Sequence, residues 1–334
     1  MYHVIRVGNR IVINNMISWF AVFLITIGIA IFTYAEDTTD RIVFISEQAN
    51  NGTYQRSMFL VDGLNGKPVE IISNQPPWAY FPSLSPDGKE IAFVRLGNIY
   101  KMSIAEHKLE QLTNDTTQDT QYSALDWSSD GTKLLFCTAI PKTNPVRNIC
   151  IMDIQSQSIN QLTSSPTFRE CPHWSPDGSR ILYAEGESPI HDLFVMDIAS
   201  KKVTNITQTP DVSEFYPVWL SNSKIAFVSR AVSSPVGMLP CEAFTMNANG
   251  SELRSLKLSF EYNLSGWAWS PDGLKILYTT TTSTTPPPLN FYRNTYLMDV
   301  TSGTKNSWMD NATEIDWVRP NYESTIDIER NKQK

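Results

Sequence analysis

A short phrase returns along this chain at a near-constant interval. Trp174-Ser175-Pro176-Asp177-Gly178 precedes Arg180-Ile181-Leu182-Tyr183, and Trp269-Ser270-Pro271-Asp272-Gly273 precedes Lys275-Ile276-Leu277-Tyr278. Trp127-Ser128-Ser129-Asp130-Gly131 runs into Lys133-Leu134-Leu135-Phe136, and Leu84-Ser85-Pro86-Asp87-Gly88 into Glu90-Ile91-Ala92-Phe93. A degenerate copy at Trp219 loses the glycine and keeps Lys224-Ile225-Ala226-Phe227. A fixed period of this length means stacked supersecondary units rather than one irregular core.

Each unit reads as four strands. The first ends at the Trp position. Pro-Asp-Gly is turn chemistry: Pro presets φ, Asp bonds nearby backbone and Gly accepts positive φ. In the second strand, apolar residues at i and i+2, such as Ile181 and Tyr183, predict one buried face. The third strand is predicted to end at a short polar residue, Asp62, Ser103, Asp153, Asp197, Asn247 or Asp299, able to accept an N–H in the next turn. The fourth is read at Leu112-Thr113, Leu162-Thr163 and Ile206-Thr207.

The two ends of the series are out of phase. The first copy opens with a second strand, Arg41 to Ile45, and the last closes with a Trp strand, Glu314 to Val318. A ring resolves this: the C-terminal strand completes the first unit. The expectation is an all-β, six-bladed β-propeller closed by its C-terminal strand, which also protects the terminal strand edges. The expected domains are an N-terminal stub with an apolar helix (1–35), the propeller (36–320) and a polar tail (321–334). Repetition itself predicts that the Trp and turn Asp series serve packing in every blade.

Residues 11–35 carry no charge, with Arg6 and Arg10 before them and Glu36, Asp37 and Asp40 after. The positive-inside rule leaves the N-terminus in the cytoplasm and the propeller outside it, periplasmic or extracellular. Two readings stay open: an uncleaved signal anchor, since about twenty apolar residues span a bilayer, or a signal peptide cut after Ala35, which would make the protein secreted. A net charge of −7, with no basic stripe, argues against nucleic acid as partner.

Among the four cysteines, Cys137 and Cys150 fall on neighbouring strands of one unit and are weighed as a disulfide against two buried thiols. Five Asn-x-Ser/Thr sequons begin at Asn51, Asn114, Asn205, Asn263 and Asn311. Long, Pro-containing loops at 139–146, 231–240 and 279–288 join second to third strands and emerge on the side of the links between units, so that face is expected to be enlarged.

The sequence contains no G-x-S-x-G elbow, H-E-x-x-H, G-x-G-x-x-G or P-loop, and no cofactor or metal is expected. His107, His173 and His191 occupy different repeat positions, which argues against a three-histidine metal site. One constellation stands out. The residues before the Trp positions are Ser83, Asp126, His173, Val218, Ala268 and Asp316. On channel-lining strands, Asp126, His173 and Asp316 would meet as a carboxylate–imidazole cluster at the channel mouth, able to hold a cation or a partner's basic group. The alternative is a set of mutually paired channel residues.

The Trp-Ser-Pro-Asp-Gly-x-x-Ile-x-Phe/Tyr phrase, with Leu193-Phe194-Val195-Met196-Asp197 in the third strand, resembles TolB-like β-propellers and the propellers of prolyl-oligopeptidase-type enzymes. The resemblance spans nearly the whole exported part and implies the fold. It implies an extra α/β domain before the propeller in TolB proper and a hydrolase domain in the peptidases. The short spacer after the apolar segment and the end soon after Trp317 do not fit these. The resulting expectation is a non-catalytic, membrane-tethered propeller binding a protein or peptide, a cell-envelope component among them, on the face with the long loops and at the channel mouth. The alternative is a propeller enzyme, a lyase or hydrolase acting on a carbohydrate or small ligand in the channel. A sensor ectodomain is disfavoured by the short cytoplasmic stub.

Overall fold

The computed structural model describes residues 5–7, 10–12 and 39–318, except 51–52, 74–77, 117–119, 141–143, 165–167, 188, 233–239, 261–263 and 284–290. Two units are distinct, 1–36 and 37–334. In the first, Ile5–Val7 pairs antiparallel with Arg10–Val12. The apolar segment and Ala35 lie outside the described residues, as does the tail.

The second unit is six four-stranded antiparallel sheets. Blade 1 joins the C-terminal Ala312–Val318 to Arg41–Asn50, Thr53–Asp62 and Val69–Ile72. Trp317 pairs with Ile42 and Asp316 with Val43, which closes the circle from both ends of the chain. Blades 2 to 6 follow in chain order, with inner strands Ala79–Leu84, Gln121–Trp127, Phe168–Trp174, Val212–Trp219 and Leu264–Trp269.

The second strands bury both faces, not one. Ile181, Leu182, Tyr183 and Ala184 are all buried. Ile181 and Tyr183 pack towards blade 3 with Leu135 and Cys137, while Leu182 and Ala184 pack towards blade 5 with Ile225 and Phe227. A blade between two neighbours has no solvent face near the axis, so alternation sorts side chains between two seams. Each seam has its own core. Val43 and Phe93 meet between blades 1 and 2, Ala92 and Phe136 between 2 and 3, Val228 and Tyr278 between 5 and 6, and Leu277 and Ile42 between 6 and 1.

The outer strands end earlier than expected, at Gln111, Gln161 and Asn205. In the Leu-Thr or Ile-Thr pair that comes next, the Thr side chain takes over from the main chain. Ile99, Ile149 and Leu193 N–H groups donate to the hydroxyls of Thr113, Thr163 and Thr207, each at 2.9 Å. The third strands end at the six predicted polar residues. Asp153, Asp197 and Asp299 each accept the N–H three residues on, at 2.7–2.8 Å.

Candidate functional site

The repeated polar residues are committed to the scaffold. In blade 4, Ser175 Oγ donates to Asp177 at 2.6 Å and accepts the Arg180 N–H at 2.9 Å, while Ser179 N–H donates to Asp177 at 2.9 Å. The same bonds recur around Asp87, Asp130 and Asp272. Gly178 sits at φ 69°, in the left-handed region. These bonds hold Asp130 down to about 2, with the Ser128 hydroxyl the largest cause. The Trp series spans blades: Trp127 Nε1 donates to Ser83 O at 3.1 Å, and Trp219 Nε1 to His173 O at 3.2 Å.

The inner strands contain a device that the repeat phrase did not reveal. Phe81, Ala124, Cys171, Tyr216 and Glu314, each three residues before the Trp position, have φ between 47° and 53°. Each sits within a register shift against the second strand. A bulge of this kind bends the strand and re-aims the side chains on its C-terminal side. Blade 6 carries Gly266 at that place.

The predicted cluster lies just past these bulges, and the fold brings its members together. His173 Nδ1 lies 3.7 Å from Asp126 Oδ2; the imidazole is 36% exposed and the carboxylate 25%, so both face open space. Burial lowers the His173 pKa, but Asp126 and then Asp316 outweigh it and leave the pKa raised. Asp316 is pushed up to about 6, first by burial, with Asp126 adding, against the Leu84 N–H bond. Both carboxylates also staple adjacent blades, since Asp126 accepts the Trp174 N–H and Asp316 the Leu84 N–H, each at 2.7 Å. Strand direction fixes their height. Inner strands start at the links between blades and end at the Pro-Asp-Gly turns, so these residues lie at the turn end of the channel. They and the enlarged loop face therefore occupy opposite ends of the ring.

The loop face is built up by hairpins rising past the inner strands. In blade 1 the ribbon continues to the pair Asn50 and Thr53, although the inner strand stops at Ser46. In blade 6 it continues to Ser283 and Phe291, past Leu264 and Thr280. The tips at 284–290, 141–143 and 233–239 lie outside the described residues. An ion network joins the two adjacent ribbons at their base. Arg56 pairs with Glu47 and Glu314, and Arg293 with Glu47. Arg56 also donates to Ala79 O at 3.1 Å and lies 4.0 Å over the Tyr80 ring. Glu314 accepts the Phe81 N–H at 2.6 Å, so the bulges of blades 1 and 2 are tied together. Sequence reasoning missed these four charges because each occurs once: Glu47, Arg56 and Arg293 stand outside the repeat, and Glu314 is the one charge among the bulge residues.

Of the two readings weighed for Cys137 and Cys150, register excludes the bridge and leaves buried thiols. Cys137 pairs with Ile149, and Cys150 with Phe136. One residue of offset puts the thiols on opposite sheet faces, Cys137 in the seam with blade 4 and Cys150 in the seam with blade 2. All four cysteines are thiols, and burial raises Cys171 to about 12. His107 lies in an outer turn with φ 53°, and His191 lies near Ser213 Oγ at 3.3 Å, both away from His173. Among the described residues, no three His, Cys, Asp or Glu side chains are placed to hold one metal ion. A cleft of about 460 Å³ between blades 3 and 4 is lined by the turn residues Asp130, Asp153 and Asp177 with Lys133 and Lys201.

The model of the TolB beta propeller domain matches residues 126–313, more than half of the chain. The chain belongs to the TolB β-propeller family. The model of the dipeptidyl peptidase IV N-terminal region matches 37–139. A TolB homolog of Protochlamydia amoebophila (strain UWE25) is 31% identical over 140 residues, 39% of this chain and 29% of that protein. The match therefore spans less than a third of that relative's length. TolB from Acinetobacter baumannii superposes with a TM-score of 0.66 at 18% identity, covering 84% of this chain and 67% of that one. Oligogalacturonate lyase from Vibrio parahaemolyticus superposes at 0.56 and 13% identity, covering 79% and 78%. At such identities the likeness speaks for the TolB-like fold alone.

Proposed function

We propose that this TolB-family propeller is a non-catalytic, extracytoplasmic binding module, tethered through the apolar segment within residues 11–35 and capturing a protein or peptide on its loop face. The observation that carries the reading is the braced pair of ribbons on blades 6 and 1. Their charges are spent holding the ribbons together, so the ribbons form a rigid platform on the enlarged face. At the other end of the channel, Asp126 and Asp316 are engaged by backbone N–H groups, which suits a scaffold role. Cell-envelope proteins are the expected partners, because residues 11–35 would export the propeller.

In-cell cross-linking with mass spectrometry tests this, comparing wild type with a chain lacking 281–288 and with His173→Asn. Loss of the cross-linked partner on loop deletion alone, with the propeller still folded, is expected. Unchanged partners after that deletion would refute the face assignment. The second reading, an enzyme acting on a carbohydrate in the channel, draws on the fold shared with oligogalacturonate lyase and on the coupled Asp126–His173–Asp316 group. It requires turnover of an oligosaccharide that disappears in His173→Asn.

A further inference from the structure

The seam between blades 4 and 5 holds an acid that its neighbours leave incompletely satisfied. Glu214, in the inner strand of blade 5, is 2% exposed. One carboxyl oxygen accepts the Thr209 hydroxyl. The other, Oε2, is buried with no hydrogen-bond partner among the described residues. A buried polar atom in that state costs about 1–3 kcal/mol.

The surroundings are oxygen-rich and acidic. Asp192, in the third strand of blade 4, accepts the Thr209 N–H at 3.1 Å, the Thr207 hydroxyl at 3.3 Å and the Asn205 amide at 2.8 Å. Residues 205–209 thus wrap two carboxyl groups from different blades, with Thr209 bonded to both. Burial, with Asp192 adding to it, pushes Glu214 up to about 7, while the Thr209 and Thr207 hydroxyls pull it down. Arg169, on the same blade as Asp192, is already paired with Glu185 at 2.9 Å. Among the described residues, no hydrogen bond or ion pair delivers positive charge to Oε2.

Two species can supply it, a proton or a cation. The donor set decides between metals: carboxylates and hydroxyls are ligands for hard ions, and Ca²⁺ accepts irregular oxygen shells. Its charge also balances two carboxylates. We infer that Glu214, Asp192 and the Thr209 hydroxyl form a Ca²⁺ site that pins the link between blades 4 and 5 on the loop face. The site is independent of what the loop face binds.

The test uses the full-length protein in detergent, stripped with a chelator and dialysed against about 1 mM CaCl₂, in the affinity range of extracellular calcium modules. At pH 8 one retained Ca²⁺ per chain is expected, with a higher melting temperature. Glu214→Gln should retain none, and Asp192→Asn should bind at least about tenfold more weakly because a charged ligand is gone. The comparison of wild type with and without calcium needs no variant, so it stands even if a substitution fails to fold. Absence of bound Ca²⁺ on folded wild type at pH 8 overturns the site, as does full retention in both variants. A melting temperature that does not respond to calcium also overturns it.

Discussion

Ring closure makes Trp317 an interior residue, although it lies near the C-terminal end of the described chain, and this can be measured. Trp317 is 6% exposed and packs with Ile42, Ala268 and Leu277 across the seam of blades 6 and 1. Trp127 is equally buried in the seam of blades 2 and 3 and in addition donates to Ser83 O. Replacing a buried Trp by Ala costs about 3–5 kcal/mol. For a domain of this size each kcal/mol moves Tm by about 2 °C, so Trp317→Ala should melt about 6–10 °C lower. Trp127→Ala should fall by as much, plus about 1 kcal/mol for the lost indole bond. The Phe variants separate packing from hydrogen bonding. Trp127→Phe strands a buried carbonyl, whereas Trp317→Phe removes an N–H that has no partner among the described residues. Trp127→Phe should therefore be the more damaging of the two by about 1–3 kcal/mol. Circular dichroism melts of the four variants in one buffer decide the matter. If Trp317→Ala melts within about 1 °C of wild type while Trp127→Ala is destabilised, the last strand is a frayed end and the circle is wrong.

Three further outcomes rest on the same contacts. Ser175→Ala removes a buried hydroxyl that serves Asp177 and Arg180 and should cost about 1–3 kcal/mol, whereas Ser221→Ala in the degenerate, exposed turn should cost less; urea titration compares them. Asp316 binds its proton more tightly folded, at about 6, than unfolded, so stability should fall as pH rises from about 4 to 6, and Asp316→Asn should flatten that slope in Tm against pH in chelator. His173, also raised, adds stability below about pH 6.5 that is lost as pH climbs through its folded value. Cys137, Cys150 and Cys241 should react with a thiol reagent only after unfolding, and non-reducing mass analysis should show no Cys137–Cys150 bridge.

The fold was legible because its determinants repeat. A Trp at the end of five of the six inner strands, with Leu84 in the sixth, a Ser-Pro-Asp-Gly turn and an apolar second strand are local signals, and the phase mismatch between the chain ends encoded the closure. The misreadings arose where a side chain replaced the backbone or where both faces of a strand were buried. Leu112-Thr113 looked like strand because the Thr113 hydroxyl does a strand's work on Ile99. Of the two readings weighed for Cys137 and Cys150, buried thiols and a bridge, the bridge fails on a single residue of register, which alternation turns into opposite seams. The bulges left no motif, since Phe81, Ala124, Cys171, Tyr216 and Glu314 share a backbone conformation and no side-chain chemistry.

The candidate sites were less legible for the converse reason. A residue found in every blade must satisfy what every blade needs, which is packing and turn formation. Chemistry particular to this chain has to reside in residues that occur once. Asp126, His173 and Asp316 could be found from sequence because they occupy a repeat position with charges where other blades have Ser83, Val218 and Ala268. Even there, two of the three were drawn into stapling neighbouring blades. Glu47, Arg56 and Arg293 stand outside any repeat position, and Glu214 owes its character to a link that approaches from the preceding blade. For a propeller of this family, the informative comparison is therefore between blades. The seam of blades 4 and 5 and the braced ribbons of blades 6 and 1 depart from the others in charge, and both departures fall on the loop face. A partner docking there would meet a fixed acidic seam and a rigid pair of ribbons.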